Sequence, residues 1–248
     1  PLAITNCLNF GNPQKPEIMG QIVGCLDGMS QACRALDYPI ISGNASLYNE
    51  TNGKGIMPTP AIGGVGILKD VEKRCGNTFV NVGETIYVVG ETKGHLGQSM
   101  ALRELMGKEE GPPPPVDLAI EKKNGDFVRA LIQDGKISAC HDCADGGLMV
   151  ALAEMTYKTG IGAKVAVPVP LNQPVTVFSY LLGEDQARYV IATSNGAEIE
   201  KRAAAAGVPL TKLGTTQKDM FEIEGGICTL STAELKQANE KFLPEMMG

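Results

Sequence analysis

Residues 42–51 read SGNASLYNET, the stretch that decides the fold of the first part of the chain. The apolar residues just before it, 39–42, predict a short buried strand, which Gly43 and Asn44 interrupt because glycine and asparagine favour turns. Asn44 carries an amide oxygen, a hard ligand suited to Mg²⁺, and Ser46 carries a hydroxyl that binds phosphate or an amide. In the alternative interpretation, both side chains satisfy backbone groups of a local turn.

Outward from this stretch, predicted strands and helices alternate along the chain. A helix is predicted upstream at about 16–36, and a strand interrupted by glycines is predicted downstream at about 61–68. A charged and polar segment at 69–77 is the candidate link between two domains. The alternation then continues to about residue 223, which indicates an α/β or α+β class.

The first predicted helix carries an unusual stripe of glycines. Gly20, Gly24 and Gly28 recur at steps of four residues, so they lie on one side of the helix. Each glycine destabilises a helix by about 0.5–1 kcal/mol relative to alanine. We therefore expect close packing against another backbone to compensate for this cost.

The composition excludes several classes of protein. The 248 residues carry 22 Lys and Arg against 28 Asp and Glu, and this net charge of −6 argues against nucleic acid or anionic membranes as partners. No apolar run of about 18 residues occurs, so no membrane span is predicted, and no secretory signal opens the chain. With seven cysteines, an odd number, these features predict a cytoplasmic protein with reduced thiols.

Few side chains suggest catalysis or metal binding by themselves. Cys140 and Cys143 form a single CxxC, which supplies at most part of a zinc shell, so we interpret them as buried small residues. The two histidines, His95 and His141, are each interpreted as hydrogen-bonded structural residues. The residues alone thus predict a two-part α/β protein with glycine loops that face a ligand.

Three further stretches make the pattern specific. They are TNCLNFGNP at 5–13, HDCADGGL at 141–148 and GEDQARY at 183–189. Together with residues 42–51 they closely resemble the long synthetase subunit of phosphoribosylformylglycinamidine synthases, the amidotransferases of the purine pathway. The resemblance covers essentially the whole chain, in order and with similar spacing.

The resemblance implies a fold and two domains. Subunits of this family contain two copies of a pair of domains, A and B, with the aminoimidazole-ribonucleotide-synthetase-like fold. The chain resembles their C-terminal portion. Residues 1–70 correspond to the C-terminal part of the second A domain, and residues 71–248 to the whole second B domain, with a mixed sheet flanked by helices.

The resemblance also implies a reaction and partners. The family uses ATP to activate the amide oxygen of formylglycinamide ribonucleotide, and ammonia derived from glutamine then displaces phosphate to give formylglycinamidine ribonucleotide. A separate glutaminase subunit and a small bridging subunit complete the enzyme. The catalytic histidine belongs to the N-terminal half of the subunit, so the chain is expected to contain no catalytic residue and to be inactive alone. An unpaired strand edge in the incomplete A segment and the glycine stripe are expected to make the isolated chain self-associate.

Four residues of the chain match binding positions of the family. Asn6 and Gly43 match positions that contact ATP, Asn44 matches a Mg²⁺ ligand, and Ser46 matches a substrate contact. Asn6 stands where the family often has an aspartate, so it lacks the negative charge for an amine or a metal. In residues 141–148, where Asp142 and Asp145 lie, we expect helix capping and turn geometry rather than a ligand.

Two other functions stay open at this point. One is a different ATP-using enzyme of the same superfamily, although the acidic, glycine-rich segment that binds Mg-ATP in such enzymes is missing from the sequence. The other is a non-catalytic scaffold that organises a larger complex, because the incomplete A segment leaves an unpaired strand edge.

Overall fold

The computed structural model describes residues 1–169 and 175–248. These residues form two compact units, Pro1–Val71 and Glu72–Gly248, which we call unit 1 and unit 2. Both units combine strands and helices, and unit 2 contains a mixed sheet flanked by helices. The predicted fold class is therefore confirmed.

Unit 1 consists of a three-stranded sheet, one long helix and a short ribbon. Its elements are β1 (Ala3–Asn9), α1 (Pro16–Leu36), β2 (Ile40–Ser46), β3 (Glu50–Thr51), β4 (Lys54–Gly55) and β5 (Thr59–Val65). Strand β1 lies in the centre, parallel to β2 and antiparallel to β5, and the ribbon pairs β3 with β4. Among the described residues, β2 is thus an edge strand of this sheet, and its carboxyl end lies beside that of β1.

Strand β2 differs from the prediction in both length and burial. It continues through Gly43 and Asn44 to Ser46, because these residues pair in register with Asn6, Cys7 and Asn9 of β1. Pairing with a neighbouring strand thus outweighs the local turn preference of glycine and asparagine. Most of its residues are exposed. The prediction of a buried strand that ends at residue 42 is wrong.

Helix α1 packs one face on the sheet and leaves the other face open. Its apolar residues Met29 and Leu36 line a cavity of about 190 Å³ together with Ile4 and Ile62 of the sheet. On the open side, no atom lies within 4 Å of where a Cβ would stand on the three glycines of the stripe, Gly20, Gly24 and Gly28. The expected close packing of this stripe is therefore not found among the described residues.

Unit 2 is built on a seven-stranded mixed sheet in the order β12-β11-β8-β10-β6-β9-β7. Its strands are β6 (Thr85–Val89), β7 (Ala139–Asp142), β8 (Ile161–Val165), β9 (Tyr189–Thr193), β10 (Leu210–Lys218), β11 (Met220–Ile223) and β12 (Cys228–Ser231). Its helices are α2 (Met100–Met106), α3 (Leu118–Gln133), α4 (Gly147–Tyr157), α5 (Val177–Leu182), α6 (Gly196–Ala206), α7 (Thr232–Glu240) and α8 (Phe242–Met247).

The sheet of unit 2 separates two apolar cores. One contains side chains of α4 and α5, such as Leu152 and Leu181, and the other contains side chains of α3 and α6, such as Leu131 and Ile199. Along the internal strand β6, Val88 belongs to the first core and Tyr87 to the second, because successive side chains of a strand point to opposite faces. Unit 2 thus has a complete layered core of its own.

Helix α4 begins at an unusual turn. Gly146 and Gly147 have φ values of 78° and 66°, in the left-handed region that favours glycine. No side chain of the adjoining loop caps the helix at Gly146, so the capping expected of Asp142 and Asp145 is wrong. Instead, the Gly146 N–H donates a hydrogen bond of 2.8 Å to Oε1 of Glu184, a residue of another loop.

Candidate functional site

The first pair of predicted site residues, Asn6 and Gly43, lies side by side in unit 1. The two residues are partners in the register of β1 and β2. The Asn6 side chain lies over the Gly43 backbone, and a Cβ built on Gly43 would collide with Asn6 Oδ1. Glycine is therefore required at position 43 so that Asn6 fits, a reason that local sequence does not reveal.

The third residue, Asn44, lies on the opposite face of the same sheet. Its Nδ2 approaches Sγ of Cys7 at 3.8 Å, while Ser42 Oγ on the same face donates to Thr5 Oγ1 at 2.8 Å. The Asn44 residue is exposed, and its Oδ1 accepts no hydrogen bond within residues 1–169 and 175–248. An exposed amide oxygen without a protein partner is available to a ligand.

The fourth residue, Ser46, shares the face of Asn44 but is engaged by a neighbour. Its Oγ donates to Oδ1 of Asn49 at 3.3 Å and accepts from Nδ2 of the same residue at 3.1 Å. Asn49 Nδ2 also donates to the carbonyl oxygens of Phe10 and Ser46 at 3.1 and 2.9 Å. In this structure the Ser46 hydroxyl is thus engaged by the Asn49 side chain and not by backbone groups of a turn, and a ligand would have to replace Asn49.

The four residues thus form two pairs on opposite faces of one thin sheet. Asn6 and Gly43 share the face that α1 packs against, whereas Asn44 and Ser46 share the other. Because β2 is an edge strand in the described part of unit 1, a ligand at its free edge can reach both faces. The geometry is compatible with one site that wraps this edge.

A salt bridge that the sequence reasoning missed holds the loops at the carboxyl ends of β1 and β2. Lys15 Nζ and Glu50 Oε1 are 2.6 Å apart, and Glu50 also accepts the Asn12 N–H at 3.3 Å. The hydrogen bond from Lys15 lowers the pKa of the Glu50 carboxyl below its usual value. The only available signal was the position of both residues beside the quoted stretches.

The residues near Asn44 can supply part of a Mg²⁺ shell. Asn44 Oδ1 is a hard oxygen ligand of the type that Mg²⁺ accepts. Among the described residues, however, no group of three or more His, Cys, Asp or Glu side chains could hold a metal ion. Asn44 fits as one ligand, and the carboxylate ligands would have to come from outside these residues.

In unit 2, the carboxylates of Glu184 and Asp185 accept hydrogen bonds from backbone N–H groups of distant segments. The Asp185 carboxylate accepts the backbone N–H groups of Lys93, Gly94 and His95 at 2.9, 2.8 and 3.1 Å. Oε1 of Glu184 accepts two further backbone N–H groups, at the starts of α2 and α4. These contacts satisfy the carboxylates within the protein, so the stretch at 183–189 has a structural function here.

The remaining polar candidates of unit 2 are not poised for catalysis. His95 Nε2 lies 2.9 Å from the Pro112 carbonyl oxygen, and His141 Nε2 lies 3.1 Å from Glu154 Oε2. Burial raises the pKa of the Cys140 thiol to about 12 and that of Cys143 to about 11. Both thiols are therefore protonated and unreactive near neutral pH.

Comparison with known proteins assigns a family to both parts of the chain. Residues 1–68 match the family described as AIR synthase related protein, N-terminal domain, and residues 81–224 match AIR synthase related protein, C-terminal domain. The chain belongs to the AIR synthase related family. The resemblance predicted from the quoted stretches is thereby confirmed.

Named relatives of this AIR synthase related chain include phosphoribosylformylglycinamidine synthase subunit PurL from several bacteria. The chain is 53% identical to PurL of Parvibaculum lavamentivorans and 53% identical to PurL of Methylocella silvestris. Each match covers 100% of the chain and 33% of the relative. The chain therefore spans about a third of the length of the curated relatives that it matches.

Solved structures share the fold of this family member. T. maritima PurL complexed with FGAR matches with a TM-score of 0.73 and 17% identity, over 95% of the chain and 39% of that protein. E. coli HypE, a hydrogenase maturation protein, matches with a TM-score of 0.62 and 18% identity, over 93% of the chain and 73% of that protein. At these identities the likeness concerns the fold alone. None of the described helices is both long and apolar enough to span a membrane.

Proposed function

We propose that the chain forms part of a phosphoribosylformylglycinamidine synthase subunit of purine biosynthesis, an ATP-dependent ligase that forms a C–N bond. The observation that carries this proposal is 53% identity to subunit PurL across the whole chain. The four candidate residues, which lie on the neighbouring strands β1 and β2 of unit 1, support it. Residues 1–70 would be part of the second A domain and 71–248 the second B domain.

In this proposal, Asn6 and Gly43 contribute to binding ATP, Asn44 contributes an oxygen ligand to Mg²⁺, and Ser46 contacts the substrate. T. maritima PurL has been solved complexed with ATP, ADP and FGAR, which supports nucleotide and substrate binding by the family. A neutral Asn6 accepts a hydrogen bond through Oδ1 but holds a cation less strongly than an aspartate would.

ATP would supply the phosphoryl group that activates the formamide oxygen, and phosphate leaves when ammonia bonds to the amide carbon. In this proposal, the residues of this chain position the substrate and ATP and do not themselves take part in bond formation. Ser46 Oγ would exchange its hydrogen bonds with Asn49 for one to the substrate, and Asn44 Oδ1 would help to hold Mg²⁺, which would supply positive charge to the phosphates of ATP. Holding the reacting groups in the correct geometry lowers the activation free energy of the reaction.

The proposed partners follow from the share of the relatives that the chain covers. The remaining two thirds of the subunit would supply the catalytic histidine and the metal-binding carboxylates. A glutaminase subunit and a small bridging subunit would deliver ammonia, and a PurLQS complex is known from Thermotoga maritima. We propose a cytoplasmic location for the assembled enzyme.

The test uses the complete subunit assembled with its partners and compares two Asn-to-Ala substitutions. Asn44→Ala removes one metal ligand, so we expect a 10–100-fold loss of synthase turnover that added Mg²⁺ partly restores. Asn239→Ala, on the exposed face of α7, is the matched control and should leave turnover unchanged. Equal turnover of both variants at limiting Mg²⁺ would refute the proposed role of Asn44.

A second candidate function is a non-catalytic scaffold within the same complex. Apolar side chains of unit 1 are unusually open, with Ile41, Met57 and Ile67 at 72, 79 and 69% exposure, and such surfaces mark interaction sites. The same experiment separates the two functions. Full turnover of Asn44→Ala at limiting Mg²⁺ favours the scaffold, whereas loss with rescue favours the ligase site.

A further inference from the structure

Unit 2 contains a cleft between α2 and α4 that the proposed function does not use. Oε1 of Glu184 accepts the Met100 N–H and the Gly146 N–H, both at 2.8 Å, and so ties the starts of the two helices together. Beyond this tie the helices enclose a cleft of about 470 Å³. Hydrogen bonds from two N–H groups to one carboxylate hold the starts of the two helices in a fixed relation beside the cleft.

The walls of this cleft are mainly apolar. Helix α2 contributes Ala101 and Leu105, and helix α4 contributes Val150 and Ala151, while Leu182 lies between them. Leu105 is 66% exposed and Val150 is 38% exposed. An apolar surface of this kind, left open to water, stabilises a bound aliphatic group by the area that both bury.

The rim of the cleft carries an excess of carboxylates. Glu104, Asp142, Asp145 and Glu154 line it together with a single histidine, His141. His141 contacts Glu154, and Glu104 is paired with a neighbouring arginine, Arg103. The Asp145 side chain makes no hydrogen bond or salt bridge within residues 1–169 and 175–248, so its oxygens are open to an occupant, while the Arg103 guanidinium lies near enough to interact with its charge.

We propose that this cleft receives an arginine or lysine side chain of a protein partner. Such a side chain combines an aliphatic stem with a cationic head, which matches an apolar wall below a carboxylate rim. The stem would lie against Leu105 and Val150, and the head would lie between Asp145 and Glu154. A purely apolar occupant would leave the rim charges desolvated, and an anion would be repelled by them.

The test compares two peptides that differ only in charge. Acetyl-Ala-Leu-Arg-Ala-Leu-amide and its citrulline counterpart have the same shape, but citrulline ends in a neutral urea. Each is titrated into the full chain while the amide resonances of the cleft residues are followed by NMR. We expect the arginine peptide to shift Leu105 and Val150 and to bind at least tenfold more tightly, with this advantage shrinking as salt rises.

Two double variants distinguish the cleft from the general acidity of the chain. Asp145→Asn with Glu154→Gln removes the rim charges and should abolish the advantage of the arginine peptide. Glu224→Gln with Glu240→Gln removes two exposed carboxylates whose ion pairs are loose, at 3.9 and 4.0 Å, and should preserve it. Thermal unfolding of both variants checks that unit 2 stays folded.

Three results would overturn the proposal. The first is equal binding of the two peptides, or binding of neither at 10-millimolar concentrations. The second is an equal loss in both double variants, which would indicate non-specific attraction to an acidic protein. The third is binding of butylguanidinium as tight as that of the arginine peptide, since the cleft would then select a small cation rather than a protein segment.

Discussion

At the scale of single residues, Asp185 connects two loops of unit 2. Its side chain is buried, and its two oxygens accept three backbone N–H groups from residues 93–95. Its carbonyl oxygen accepts a hydrogen bond from Nε of Arg188, whose side chain is fully buried. Since each N–H would be costly to bury without a partner, one carboxylate fixes the whole 93–95 segment.

Asp185→Asn should therefore destabilise unit 2 strongly. The amide keeps one acceptor but turns an NH₂ group toward N–H donors and loses the charge, so we expect a loss of about 3 kcal/mol. Urea unfolding measured by circular dichroism gives the value. Asp142→Asn, at a carboxylate that is 67% exposed, is the control and should change stability by less than about 0.5 kcal/mol. Similar losses in both variants would contradict this account.

The structural role of Asp185 is only partly predictable from the sequence. The run at 183–189 was noticed from its resemblance, but its partners at 93–95 are about ninety positions away. No local pattern encodes a contact over that separation. The resemblance marks Asn6 and Gly43 only as separate ATP-contacting positions, and the strand register shows that they are neighbours and that position 43 must be glycine to leave space for Asn6.

At the scale of elements, periodicity predicted the limits of α1 well, but the alternation predicted to end at about residue 223 missed α7 and α8, and strand limits were predicted poorly. Helix α1 starts at Pro16 and ends at Leu36, the limits that the spacing of its apolar residues predicts. Strand β2 was missed beyond residue 42 because its pairing with β1, and not its composition, keeps it extended. Helix α3 runs unbroken through Asn124 and Gly125, since Asn124 is buried and its Nδ2 donates to the Ala187 carbonyl oxygen at 2.9 Å.

Two glycines of unit 1, Gly24 and Gly43, differ in what an added methyl group would contact. Gly24→Ala places a methyl group in open space on α1, so we expect it to stabilise unit 1 by about 1 kcal/mol through helix propensity. Gly43→Ala forces the methyl group into Asn6 and should destabilise the unit by about 1–3 kcal/mol. Thermal unfolding of the two variants provides the comparison. A destabilising Gly24→Ala would show that another surface contacts the stripe.

At the scale of the whole molecule, the two units differ in how they are stabilised. Of the buried apolar side chains in the described residues, only Ala3, Ile4, Phe10 and Ile18 belong to unit 1. Unit 2 holds the others, and all of these except Ala101 and Ala203 belong to its two cores. Because burial of apolar surface is the main stabilising contribution to folding, we expect unit 1 to be stabilised less by its own core than unit 2 is. This difference fits a chain that spans a third of its relatives.

The charge distribution sets how the stability of the whole chain responds to acid. Hydrogen bonds to neighbouring groups lower the pKa of four carboxyls. Lys15 acts on Glu50, Arg202 on Asp134 and Lys136 on Glu198. The hydroxyl and N–H of Ser231 act on Glu234. A carboxyl with a lowered pKa in the folded state stabilises it fully above the unfolded pKa, 3.8 for Asp and 4.5 for Glu. That stability is lost as the pH falls through the folded value. Glu121 acts in the opposite sense, because burial raises its pKa.

The four carboxyls with a lowered pKa outnumber Glu121, whose pKa is raised. We therefore expect the midpoint of thermal unfolding to stay nearly constant from pH 8 to 6 and to fall steeply below about pH 4.5. Arg202 pairs with both Asp134 and Glu198, at 2.6 and 3.0 Å, so Arg202→Gln should flatten this fall. Lys201→Gln removes one charge from the same helix without removing a salt bridge and should leave the fall unchanged. A steep fall that persists in Arg202→Gln would assign acid sensitivity to groups other than Asp134, because Lys136 still lowers the pKa of Glu198 in that variant.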